Sequence, residues 1–300
     1  MKVAVTGSSG FIGTALTAAL GAAGHDVVRV VRGDGGGPGT ARWDPKAGTI
    51  DAAALAGVDA AVHLAGAGIA DHRWTDDYKR ELVSSRLDGT SLLARTLARL
   101  DPRPAVLVSA SGIDYYGDRG DDVIDETASK GTGFLSDLCA RWEAAADPAR
   151  EAGIRVAHTR SGIVLSPRGG ALKKQLPLFK LGLGGRFGSG RQWQSWIALD
   201  DEVGAMLHLL TTDVAGPVNL TAPNPVTNAD FTTTLGAVLH RPTLLPVPSF
   251  GPKLLVGSEL ADVLLYESKR VVPRVLQGSG YPFRYPTLHA ALTGLLTAPA

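Results

Sequence analysis

The chain has 300 residues, 44% hydrophobic and 20% charged, with 30 Lys and Arg against 29 Asp and Glu. That composition excludes a disordered polymer, and a formal net charge of +1 gives no reason to expect nucleic acid or an acidic membrane as a partner. A single cysteine, Cys139, excludes an internal disulfide framework and a multi-cysteine metal site, and points to the reducing cytoplasm.

No apolar run approaches the roughly 20 residues that span a bilayer. At about 150 residues per domain, the length suits one large domain or two smaller ones. Val3-Ala4-Val5 reads as a first strand, followed by Gly7-Ser8-Ser9-Gly10 and a helix whose Phe11, Ile12, Ala15, Leu16, Ala19 and Leu20 recur at helical spacing. Gly24 suits the end of that helix. Further strands are expected at 27–31, 60–64, 105–108, 155–159 and 218–220, with helices over 76–100 and 133–152 between them. Gly35-Gly36-Gly37 reads as a surface loop. Short apolar strands alternating with helices imply an α/β chain, a Rossmann-like doubly wound parallel sheet covered on both faces.

After Ser161 the pattern loosens. Glycines bracket an amphipathic stretch from Leu172 to Leu181, Asn228 reads as a helix N-cap, and Leu254 to Leu265 reads as a last helical region. One of Asp200 and Asp201 is expected to cap the apolar helix that follows them. The expected division is a Rossmann domain over 1–165, with 188–225 returning to it, and a smaller C-terminal α+β substrate domain over 166–187 and 226–300.

The strongest chemical signal is Gly7-Ser8-Ser9-Gly10-Phe11-Ile12-Gly13, three glycines between a strand and a helix. Gly7 permits the tight turn, Gly10 lets backbone approach a pyrophosphate, and Gly13 lets the helix pack close. The helix N-terminus adds partial positive charge. Thr6, Ser9, Phe11 and Ile12 share this loop as candidate cofactor contacts. The histidines are scattered without ligand spacing, so no metal site is expected.

The spacing resembles the extended, epimerase-like branch of the short-chain dehydrogenase/reductase superfamily. Arg73-Trp74, Ser85-Arg86, Tyr115-Tyr116-Gly117, Trp142-Glu143, the string from Gly188 to Ile197, the string from Asn219 to Thr227, and Phe283 to Leu288 narrow this to one subgroup. It is the group of nucleoside-diphosphate-sugar epimerase-like proteins with their own C-terminal domain. In that superfamily the second strand ends beside the adenosine ribose. Here the strand ends Val30-Val31-Arg32, with no carboxylate for a 2′-hydroxyl, so the resemblance implies NADP in preference to NAD, with Arg32 on the 2′-phosphate. His63-Leu64-Ala65-Gly66, Arg86 and Ser109 complete the implied cofactor side.

The superfamily's Tyr and Lys acid–base positions fall on Leu135 and Cys139. Tyr115, Tyr116 and Ser111 remain as candidate catalytic groups at the carboxyl edge of the sheet. Trp74, Arg160, Arg186, Arg191 and Trp196 are candidate substrate contacts for a small anionic or nucleotide-linked molecule, with Arg191 as anion clamp. The expected function is an NADP-binding oxidoreductase or epimerase-like enzyme; a cofactor-dependent sensor or scaffold is the alternative. A homodimer stays open.

Overall fold

The computed structural model describes residues 1–33, 37–248 and 250–297. Gly35 and Gly36 of the expected glycine loop lie outside the described residues. Strand β1 (Lys2–Thr6) sends Val3 and Val5 into one core and Ala4 into another, because alternate side chains leave opposite faces of a strand. Helix α1 (Phe11–Ala22) follows the glycine loop and ends before Gly24, whose φ of +76° reverses the chain into β2 (Asp26–Val31). Next come β3 (Thr40–Asp44), β4 (Thr49–Ile50) and β5 (Ala60–His63). Helix α2 (Asp76–Arg99) is capped by Thr75, whose hydroxyl accepts the Tyr78 N–H.

Strand β6 (Val106–Gly112) runs four residues past its expected end, so Ser109 to Gly112 are strand and not loop. A short β7 (Val123–Ile124) precedes α3 (Phe134–Ala144) and α4 (Asp147–Glu151). One long helix was expected over these two. It breaks at Ala145, and Pro148, which has no N–H to donate, sits in the first turn of the restarted helix. Strand β8 (Arg155–Ser161) pairs in parallel with β6 along its whole length, placing Ser111 opposite Arg160.

Then follow β9 (Ile163–Leu165), α5 (Gly170–Lys180), β10 (Trp193–Gln194), β11 (Trp196–Ala198) and α6 (Leu199–Thr211). Neither Asp200 nor Asp201 is the cap of α6, which starts after Ala198. The Asp201 carboxylate instead accepts the N–H groups of Arg284 and Tyr285 and the Tyr281 hydroxyl. Strand β12 (Gly216–Leu220) joins the main sheet, and β13 (Val226–Thr227) leads into α7 (Asn228–Leu239). The cap of α7 is Thr227, in a capping box with Asp230. Asn228 lies inside the helix and accepts the Phe187 N–H. The last helical region is split into α8 (Phe250–Val256), α9 (Ser258–Ala261) and a π turn, before β14 (Arg270–Val271), α10 (Arg274–Gly278) and α11 (Leu288–Thr297).

Among the described residues the main sheet has eight strands in the order β12-β8-β6-β5-β1-β2-β3-β4, all parallel except the terminal β3–β4 hairpin. Chain order reverses between β1 and β5, which makes that gap the switch point where open α/β sheets bind ligands. Helices α1 and α6 cover one face and α2 and α4 the other. A separate core gathers Leu165, Leu172, Phe179, Trp196, Phe231 and Leu292.

The C-terminal segment is stitched to the main body. Strand β14 pairs with β7, and Ser268 donates its N–H to Asp118 and its hydroxyl to the Gly120 carbonyl. The Asn219 amide donates to the Val272 carbonyl. One Glu126 oxygen accepts N–H groups from both Asn219 and Val275.

Candidate functional site

The loop after β1 is built around two close approaches. Gly7 has φ +63°, and a Cβ there would fall 2.9 Å from the Leu64 carbonyl carbon. A Cβ on Gly13 would fall 2.0 Å from the Gly7 carbonyl oxygen, so the first turn of α1 lies directly on the loop. Thr6 fastens the β1 end to the β5 end: its Oγ1 accepts the N–H of Leu64 (3.0 Å) and of Ala65 (3.2 Å).

The Thr6 hydroxyl then donates to His63 Nδ1 at 2.8 Å, which leaves Nε2–H to donate to Thr90 Oγ1 at 2.9 Å; the bonding pattern assigns this neutral tautomer. Burial, helped by the Arg86 charge, pushes the His63 pKa down to about 4, so the ring stays neutral and structural.

Between β1, β2, β5 and α2 opens a cleft of about 640 Å³. Gly7, Ser9 and Gly10 line it on one side, Leu64, Ala65 and Gly66 on another. At its β2 end stand Arg32, as the sequence suggests, and Lys46, which the sequence did not single out. Both are exposed. Asp44 also lines this end, but its Oδ1 is turned onto the N–H groups of Lys46 (3.0 Å) and Ala47 (3.2 Å). Carboxylates Asp71, Glu81 and Asp88 lie on the α2 side.

The loop with positive φ, the free N–H groups of the first α1 turn and two cations at the far end fit a dinucleotide with an anionic 2′ substituent. Phe11 lies outside this cleft, with its ring packed on Gly169 and Gly170. Ser109 is fully buried and its Oγ has no partner among the described residues. Arg86 sits behind Gly66, 6% exposed, with its guanidinium 4.9 Å from the centre of the Trp142 ring. Among the described residues its hydrogen bond goes to the Leu82 carbonyl, and burial lowers its pKa.

The candidate catalytic and substrate residues do not gather in the cleft. Arg160 is 3% exposed. It holds Glu143 through Nε and Nη2, both at 2.8 Å, donates to the Tyr116 hydroxyl at 2.9 Å and lies 3.5 Å from the Tyr115 ring centre. Ser111 donates to the same Glu143 carboxylate at 2.7 Å. Tyr116 is fully buried and donates to Asn219. Burial, opposed by Arg160, pushes its phenol up to about 12. Ser111, Tyr116 and Arg160 are therefore spent on one internal network. This corrects their expected exposure to substrate, and the cause is the extension of β6 and β8 beyond their apolar runs.

Trp196 is likewise removed from any ligand-facing wall. It is fully buried in the third core, and its Nε1 donates to the Asn224 carbonyl. Arg186 and Arg191 are exposed and do not line the cleft, and Trp74 packs on Phe134. Arg191 as anion clamp beside the cofactor is thus not the arrangement found.

Tyr115 remains half-buried at the carboxyl edge. Beside it, Asp114 meets Lys269 at 3.2 Å, and Lys269 also holds Glu267 at 2.6 Å. Burial works against the Lys269 charge, but the two carboxylates outweigh it and raise its pKa. No sequence signal could place Lys269 here, because long-range contacts bring it to Asp114: the β14–β7 pairing and the Ser268 bonds to Asp118 and Gly120. At the superfamily's Tyr and Lys positions, Leu135 is in an apolar cluster and the Cys139 thiol is pushed up to about 12 by burial and by Asp114. Among the described residues no His, Cys, Asp and Glu group is placed to hold a metal. No helix is long and apolar enough to cross a membrane.

Residues 3–221 match the profile of the NAD dependent epimerase/dehydratase family, and residues 247–295 match a domain of unknown function, DUF1731. An Epimerase family protein of Mycobacterium tuberculosis is 46% identical over 298 residues, covering 99% of this chain and 98% of that protein. The crystal structure of human epimerase family protein SDR39U1 with NADPH superposes with a TM-score of 0.91 at 38% identity, each chain wholly covered. A structure of the nucleoside-diphosphate sugar epimerase of Corynebacterium glutamicum gives 0.78 at 38% identity, over 99% of this chain and 58% of that one.

Proposed function

The chain belongs to the NAD dependent epimerase/dehydratase family, and from that premise we propose that it is an NADP-dependent oxidoreductase or epimerase-like enzyme acting on a small anionic or nucleotide-linked substrate. The observation that carries the reading is the cleft itself. The glycine loop sits at the switch point of the sheet, and the cleft ends on Arg32 and Lys46; among the described residues the carboxylate lining that end is Asp44, whose Oδ1 accepts the N–H groups of Lys46 and Ala47. The human relative crystallised with NADPH supports the same choice.

When bound, NADP supplies hydride transfer. The chain's own groups do the rest. The α1 N-terminus and the Gly7–Gly10 backbone hold phosphate, and Arg32 and Lys46 hold the 2′-phosphate. The buried Arg86 cation, which forms no ion pair among the described residues, favours negative charge in the adjoining part of the cleft. Tyr115 and the Asp114–Lys269 pair are the proton-carrying groups at the carboxyl edge that the internal network leaves unspent.

A second reading has its own support. With Leu135 and Cys139 at the acid–base positions and Tyr116 sealed, a cofactor-binding sensor or scaffold without turnover fits the same cleft. Titration calorimetry with NADP and NAD, followed by a thermal-shift screen with NADP present, separates the readings. A preference for NADP with anionic or nucleotide-linked hits that are turned over supports the enzyme. NADP binding with no hit supports the sensor, and a preference for NAD overturns the cofactor choice.

A further inference from the structure

A net charge of +1 conceals a segregated distribution. Two stretches of the chain, 152–199 and 231–258, contain no carboxylate at all. The fold lays them side by side. Arg241 Nε donates to the Lys180 carbonyl at 2.8 Å, and the Val247 N–H donates to the Arg186 carbonyl at 2.8 Å. The Leu183 N–H returns to the Leu178 carbonyl at 2.9 Å. A Cβ on Gly185 would fall 1.8 Å from the Leu245 carbonyl oxygen, so residues 178–187 and 241–247 touch along their backbones.

Large apolar side chains stand on the outside of this junction. Leu178, Leu181, Leu183, Leu244 and Leu245 are all more than half exposed, Leu244 by 89%. The chain continues into α8, where Phe250, Leu254 and Leu255 are each exposed by more than 70%. Scattered surface leucines are ordinary, but a contiguous group of this kind marks a contact surface. Helix α5, which carries Leu178, also carries Lys173, Lys174 and Lys180, all exposed and with no carboxylate partner among the described residues. The carboxylates that border the patch are occupied: Glu259 by Lys79 and Asp262 by Lys253.

We propose that this face is a docking surface for an anionic phospholipid bilayer, with leucine and phenylalanine side chains entering the headgroup boundary and the lysines meeting lipid phosphates. Three features favour lipid over a protein partner. The apolar side chains are open to solvent, Leu244 and Leu245 by three quarters or more. The flanking cations are lysines, a residue depleted in protein interfaces but effective against anionic headgroups. Pro242, Pro246 and Pro248 limit the backbone freedom of the segment that carries Leu244 and Leu245, which lowers the entropy lost on insertion. The attachment is peripheral, and it is independent of the cofactor reading above.

The test is co-sedimentation of the full chain with vesicles of phosphatidylcholine containing phosphatidylglycerol, against vesicles of phosphatidylcholine alone. The chain should pellet with the anionic vesicles only and be released by salt. Leu244→Glu with Leu245→Glu should abolish pelleting. Each of Lys173→Ala and Lys174→Ala should weaken it about fivefold. These side chains are exposed, so folding should persist, and unchanged circular dichroism and NADP titration verify it. No pelleting of the parent chain, or equal pelleting with neutral vesicles, overturns the proposal. So does a dimer in analytical ultracentrifugation that Leu244→Glu dissociates, which would make the face a self-interface.

Discussion

Arg160 grips both carboxylate oxygens of Glu143 at 2.8 Å, behind the carboxyl edge of β6 and β8 and almost out of reach of water. The pair fixes the ends of two strands and one helix relative to each other, since Glu143 belongs to α3 and also accepts from Ser111 on β6. Removing one member leaves a buried, uncompensated charge, which costs about 3–5 kcal/mol. Glu143→Gln should therefore lower the free energy of unfolding in guanidinium chloride by that much, with NADP affinity nearly unchanged. Tyr116→Phe should cost about 1 kcal/mol, the value of an ordinary hydrogen bond. If Glu143→Gln unfolds like the parent and loses only turnover, the network is catalytic and not structural.

Arg32→Ala and Lys46→Ala should each weaken NADP binding about tenfold or more and leave NAD binding nearly unchanged, because a charge-assisted hydrogen bond contributes roughly 1.5–3 kcal/mol. Calorimetric titration of both cofactors reads this directly. Equal losses for NADP and NAD would show that the two cations do not meet the 2′ position.

Glu202 is completely buried, with one oxygen on the Ser161 hydroxyl at 2.6 Å and the other without a partner among the described residues, and burial raises its carboxyl to about 8 from 4.5. The folded state therefore keeps a proton that the unfolded chain releases. Between about 4.5 and about 8 this group makes stability fall as pH rises, by at most about 1.4 kcal/mol per pH unit. His63 acts oppositely between about 4 and 6.5, where the unfolded chain takes up a proton that the native ring refuses. Above 6.5 the opposing His63 effect is spent. Glu202→Gln should gain stability relative to the parent as pH climbs toward 8 and then level off. A difference that stays flat with pH would mean the carboxyl is ionised in the native protein.

Cys139 should be inert. Its thiol is buried and held near 12, so alkylation at neutral pH should require unfolding, followed as labelling against denaturant concentration. Cys139→Ala should leave any turnover within a few-fold. A loss of about 10²–10⁴ in a folded variant would identify a catalytic thiol.

The sheet was legible wherever burial on both faces produced an unbroken apolar run, as at Val3-Ala4-Val5 and 60–64. The β3–β4 hairpin was not, because only Ala41 and Trp43 of β3 face the core and the rest of the strand is polar. The glycine loop was readable because local backbone geometry demands glycines within a few residues, and Arg32 because the superfamily resemblance marks the end of the second strand. Lys46 sits on the turn of that unread hairpin. Lys269 and the Arg160–Glu143 pair depend on strand register and on a distant segment, neither of which leaves a local pattern.

Glu126 is a single carboxylate with one oxygen serving two masters, the N–H of Asn219 and the N–H of Val275. The two profiles that the chain matches end at 221 and begin at 247, yet this oxygen, the Asn219–Val272 bond and the β7–β14 pairing all cross between them. The seam visible in the sequence is therefore not a joint in the molecule. Recombination that exchanged the C-terminal module for another would strand a buried amide and half a carboxylate in the nucleotide-binding half. The two modules are expected to be inherited together, and grafting the glycine-loop half alone into a chimera should give an insoluble product.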